Sequence, residues 1–222
     1  MDEKRIIIIG LILAAVLGGL VFLFGQGEEI AESDSDQQSA NLSEATANMI
    51  KVKDFQGYNI IGSSDAPVKI TEYFSYNCGH CRNFSQDTLQ KIKEEYIDTG
   101  KVQFEMRQLY GVPQFPLAVL CAGEQGKFLE YHDYLFENLS QITSEEELPK
   151  LIDFAKSLDL DQKEFQACFD SGKYALIVEN WAEEGKAAGV SGVPAFFVGE
   201  QKLVGNQPYE KFQEAIEEEL SK

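Results

Sequence analysis

A dense apolar and β-branched run, residues 66–74 (APVKITEYF), passes through three residues into Cys78-Gly79-His80-Cys81, and a stretch with helical spacing follows at once. This junction constrains the chain more than any other stretch. The run has the length and composition of a buried strand. Over 81–96, Phe84, Leu89, Ile92 and Tyr96 recur at roughly helical spacing, and Gly100 marks the stop. Over 101–110, Val102, Phe104 and Met106 alternate with polar neighbours, which predicts a second strand. The two cysteines therefore stand where a strand feeds a helix, inside a β-α-β unit.

From Pro116 to about Gly189 the pattern is helical throughout. Ser144 and Glu147 read as a capping box, after which Leu148, Leu151, Ile152, Ala155 and Leu158 recur with helical period. Residues 195–205 read as two short strands about a turn at Gly199-Glu200, and 208–220 as an amphipathic closing helix with Pro208 at its start. The element order is β-α-β, a helical block, then β-β-α.

The N-terminal part differs in composition. After the short segment 1–5, an uncharged apolar run extends from Ile6 to Phe24. At about 1.5 Å per residue it nearly matches a hydrocarbon core of about 30 Å. Lys4 and Arg5 precede it; Glu28, Glu29, Glu32, Asp34 and Asp36 follow it. The positive-inside rule then keeps residues 1–5 in the cytoplasm and exports the rest. We expect 6–24 to be a transmembrane anchor rather than a cleaved signal peptide, because no small-x-small site directly follows the run. Residues 25–54, polar and acidic, read as a flexible tether, and 55–222 as the folded domain. The net charge of −18 repels phosphate backbones, so nucleic acid is not an expected partner.

An extracytoplasmic location is oxidising, and there two cysteines at this spacing point to disulfide exchange. The attacking species in exchange is a thiolate. A helix N-terminus offers free N–H groups and a dipole that favour an anion, and Cys78 is placed there. Cys81, one turn on, is expected to be the more buried thiol. His80 is a candidate hydrogen-bond or charge partner for Cys78. Zinc normally needs four ligands, and Cys121, Cys168 and His132 supply no second pair at suitable spacing. A purely structural bridge between residues 78 and 81 would close too small a loop to stabilise much. His132, among Tyr131, Tyr134, Leu135 and Phe136, reads as a polar-face residue of an amphipathic helix.

The strand–CxxC–helix unit, the helical block and GVSGVPAFFVG (189–199) together resemble the thioredoxin superfamily, and more closely the DsbA-like thiol:disulfide oxidoreductases. The resemblance covers about 55–222. It implies a thioredoxin α/β fold with a helical insertion at about 116–189. It also implies that Cys78 attacks, that Cys81 resolves, and that the Val193–Pro194 bond is cis and lies against the cysteines. Glu72 would be a buried acid able to relay the Cys81 proton. The dipeptide is Gly-His where the DsbA type usually carries Pro-His, which bears on the redox potential. Cys121 and Cys168 would be either a structural disulfide, worth about 4 kcal/mol for a loop of roughly 45 residues, or two buried free thiols; export favours the bond. The resemblance implies no metal or organic cofactor. The expected partners are reduced or unfolded exported proteins and a quinone-coupled membrane reoxidase of the DsbB or VKOR type. A reductase or isomerase, or a non-enzymatic peptide-binding module, are the alternatives.

Overall fold

The computed structural model describes Phe55, residues 57–143 and residues 145–222. The anchor and tether expectations fall on residues outside these. Among the described residues no helix is long and apolar enough to cross a membrane.

The elements run in the expected order, with one addition. β1 (Ile60–Ile61) precedes β2 (Val68–Phe74). A continuous helical run follows as α1 (Gly79–Asn83), a π turn (Phe84–Thr88), α2 (Leu89–Ile92) and a second π turn (Lys93–Ile97). Next come β3 (Val102–Gln108) and the insertion: α3 (Gln114–Glu124), α4 (Phe128–Asn138), α5 (Glu147–Ser157), α6 (Gln162–Ser171) and α7 (Ala175–Ala187). β4 (Ala195–Val198), β5 (Gln201–Val204) and α8 (Tyr209–Leu220) complete the domain. The sheet order is β1-β3-β2-β4-β5. Only β2 and β3 are parallel, and the helical run is their crossover.

The sequence explains the π turns. Phe84 and Leu89 are both fully buried yet five residues apart, one more than an α-helix can align. A π turn absorbs the extra residue, with the Leu89 N–H donating to the Phe84 carbonyl. Phe84 then meets Phe196 and Phe212 at ring-centroid distances of 4.3 and 5.2 Å. These three rings join the helical run and α8 to one face of the sheet.

The opposite face is covered by α7. A Cβ on Gly185 would lie 2.6 Å from Leu109 and 2.9 Å from the Tyr73 ring, so α7 approaches this closely only through a glycine. β1 is too short for any pattern to reveal. Asn59 pins it beside β3 by donating to the Met106 carbonyl at 2.9 Å and to the Glu105 carboxylate at 3.2 Å. In the insertion, Cys121 of α3 and Cys168 of α6 form a disulfide with a Cα–Cα distance of 5.8 Å.

The capping box needs correction. Glu147 is the first residue of α5, with Glu146 at the cap position, rather than three residues in. A turn intervenes, closed by the Glu146 N–H donating to the Thr143 carbonyl at 3.1 Å. Ser144 itself lies outside the described residues.

Removing the Phe84 ring opens a cavity among three elements at once. Phe84→Ala is expected to cost about 3–5 kcal/mol, read as a lower urea midpoint at unchanged slope.

Candidate active site

The period of two along β2 places Val68, Ile70, Glu72 and Phe74 on one face. Glu72 is therefore buried, 3% exposed, by the same alternation that buries its aliphatic neighbours. In the sheet it sits between Met106 on β3 and Phe196 on β4. Burial raises its carboxyl well above the ordinary carboxylate range, and the nearby Cys78 adds to the effect.

β2 ends at Phe74, and the Ser75–Asn77 loop carries the chain into α1. Cys78 takes the cap position with extended backbone (φ −101°, ψ 113°). Its sulfur accepts the Cys81 N–H at 3.4 Å, as a Ser or Asp oxygen does at an ordinary helix start. The thiol also donates to the Val193 carbonyl at 3.5 Å. The Val193–Pro194 peptide is cis, and Pro194 is buried at the entry to β4. Residues 115 apart in sequence thus meet across one sulfur.

The two cysteines are unlike. Cys78 is half-buried and Cys81 is 1% exposed; both are free thiols. Burial, then the charge of Glu72, pushes the Cys81 thiol far up. Glu72 and Cys81 are two acids in one apolar place, each disfavouring the other's ionisation. His80 is exposed, and no hydrogen bond joins it to Cys78 among the described residues.

His132 is the clearest correction. It is 1% exposed, not on a polar face. Phe128 and Phe136 lie one turn away on either side along the same stripe of α4, so the histidine points into the core. Its Nδ1 pairs with the Tyr76 hydroxyl at 2.8 Å, and burial pushes its pKa down to about 3. Sequence reasoning missed this pair. The i, i+4, i+8 spacing of Phe128, His132 and Phe136 was the available signal. Tyr76 belongs to the loop before Cys78, so the pair ties α4 to the dithiol.

The loop is also fixed from β3. Gly111 has φ +115°, and a Cβ there would lie 2.9 Å from the Asn77 side-chain oxygen and 3.0 Å from the Ser75 hydroxyl. Cys121 and Cys168 lie in the helical insertion, bonded to each other. With Glu124 they are the described group with spacing suited to a metal, but both sulfurs are committed to the disulfide.

A family model described as thioredoxin matches residues 54–218. Among curated proteins, disulfide bond formation protein D of Bacillus subtilis is 28% identical over 173 residues, 74% of this chain and 78% of that one. A putative protein-disulfide oxidoreductase of Rickettsia prowazekii is 27% identical over 178 residues. That match takes in 78% of this chain and 65% of the rickettsial protein, just under two thirds. Among solved structures, oxidised BdbD from Bacillus subtilis superposes with a TM-score of 0.65 at 26% identity, covering 75% of this chain and 95% of that one. Wolbachia pipientis α-DsbA1 matches in fold with a TM-score of 0.66 at 22% identity, over 80% of this chain and 96% of that one.

The buried imidazole gives a signed pH dependence. Its folded pKa lies below the unfolded value near 6.5, so the unfolded chain takes up a proton that the folded chain refuses. Its contribution is present above about pH 6.5 and is lost as pH falls toward 3. The Tyr76→Phe, His132→Phe double variant is expected to flatten the stability–pH curve there by up to about 1.4 kcal/mol per pH unit, measured by urea unfolding against the parent.

Proposed function

This chain belongs to the thioredoxin family, and from that premise we propose that it is a DsbA-like thiol:disulfide oxidoreductase and a net oxidant, donating a Cys78–Cys81 disulfide to exported proteins as they fold. The observation that carries this reading is the Cys78 sulfur, reachable from solvent, capping a helix and facing the Val193 carbonyl.

In the oxidised protein a client thiolate attacks the Cys78 sulfur. A client–Cys78 bond forms, the Cys78–Cys81 bond breaks, and Cys81 leaves with the electron pair. A second client thiolate then attacks the client sulfur in that mixed disulfide, releasing Cys78. Two electrons pass from client to protein, and the client leaves with a disulfide. The Cys81 anion is strongly disfavoured in its apolar site, so it needs a proton as it forms. Glu72, held neutral by burial, is the proposed donor. The Val193 carbonyl and Pro194 are the proposed rest for the client's extended backbone. His80, exposed near Cys78 and with no hydrogen bond to its sulfur among the described residues, is proposed only as a positively charged neighbour.

Reoxidation requires an electron acceptor outside the chain. We assign it to a quinone-coupled membrane reoxidase of the DsbB or VKOR type. The run 6–24 is the proposed anchor, with the domain on the extracytoplasmic side, where the tether raises the local concentration near that partner.

The test titrates the dithiol against glutathione, then presents the oxidised protein with a reduced, unfolded polypeptide. We expect a potential clearly less negative than that of thioredoxin, about −270 mV, and stoichiometric oxidation that Cys78→Ser abolishes. A potential at or below that value, or activity surviving in Cys78→Ser, overturns the reading. Glu72→Gln is expected to slow client oxidation by roughly one to two orders of magnitude, measured by quenched-flow.

A further inference from the structure

Beside the active-site loop lies a pocket of about 200 Å³ that the exchange chemistry does not use. Asn77, which precedes Cys78, forms one edge. Val112, Phe115, Leu139 and Ile142 form apolar walls, and Glu147 stands at the start of α5. One Glu147 carboxylate oxygen, Oε1, is buried without a hydrogen-bond partner. Lys150, one turn later on α5, makes no hydrogen bond to that oxygen. Burial raises the Glu147 carboxyl above its ordinary range, the mark of an anion without a counter-charge.

An apolar sleeve ending in an unpaired carboxylate has the chemistry of a site for a long cationic side chain. The methylenes of lysine or arginine cover apolar surface while the charged end reaches an acceptor. The protein's net charge of −18 favours approach of a basic segment. Adjacent Cα atoms are about 3.8 Å apart, so a pocket edged by Asn77 lies within a few residues' reach of a chain bonded to Cys78. We propose that this pocket receives a lysine or arginine lying close in sequence to the reacting cysteine of a client, with Glu147 as its counter-ion. The proposal rests on the reading of Cys78 as the residue that forms mixed disulfides.

The test uses peptides identical except for Lys, Leu or Glu two residues from a single cysteine. Each is supplied as a disulfide to the full-length Cys81→Ala chain in neutral detergent, and mixed-disulfide formation on Cys78 is timed. This readout needs no net oxidation, so a failed oxidase assay leaves it intact. The Lys peptide is expected to react about fivefold faster than the Leu peptide, and the Glu peptide slower than both. Adding Glu147→Gln brings the Lys-to-Leu ratio to about one, while Glu145→Gln, the same charge change on an exposed neighbour, preserves it. A ratio that survives Glu147→Gln shows that only the long-range field attracts the peptide and overturns the proposal. So does a ratio of one in the parent. A carboxylate kept only for the N-terminus of α5 would lower the melting temperature on substitution and leave the ratio untouched.

Discussion

The Cys78 sulfur is shared between the Cys81 N–H and the Val193 carbonyl, and the rest of the fold serves to hold those two groups there. Cys78 follows β2 and Val193 precedes β4. The antiparallel pairing of these strands, Tyr73 opposite Ala195, sets how near their ends come. α1 starts at this same corner, so that the free N–H of its third residue, Cys81, donates to the sulfur. Sheet register, helix start and the cis Val193–Pro194 peptide are thus one positioning device, built from segments far apart in sequence.

The asymmetry of the two cysteines follows from this placement. The cap position lies at the rim, and one turn further the helix dips against the sheet, so Cys81 is buried where Cys78 is not. Directly beneath, the alternation of β2 leaves a carboxyl where Ile70 and Phe74 show that an aliphatic or aromatic side chain would fit. Nothing in packing favours an acid between Met106 and Phe196, and its burial carries a free-energy cost. The proton transfer to Cys81 proposed above would give that cost a purpose.

Much of this was readable from residue order alone. The β2–CxxC–α1 junction, β3, the closing hairpin and α8 each carry a strong local period, and the Gly-Val-Pro at 192–194, a tripeptide that also occurs at 111–113, is singled out by the apolar strand that directly follows it. What could not be read depends on tertiary contact. β1 has two residues and is held largely by Asn59. A histidine's identity argues for a polar face while its spacing from Phe128 and Phe136 argues for the core, and the partner that pairs with its Nδ1 there, the Tyr76 hydroxyl, is reached from another element. The start of α5 was misplaced because the Thr143–Glu146 turn competes with the capping pattern. The five-residue step from Phe84 to Leu89 was legible in hindsight as a π turn, since no α-helix buries both.

The second bridge, Cys121–Cys168, has the opposite character from the dithiol. Its sulfurs belong to residues only 1% and 8% exposed, enclosed by α3 and α6 rather than set at a rim. Exchange requires an anion to reach one sulfur along the axis of the bond, and the packing denies that line of approach. The staple of the helical region is thereby closed to attack from either end, whereas at the CxxC one sulfur, that of Cys78, lies at the rim while its neighbour Cys81 is buried.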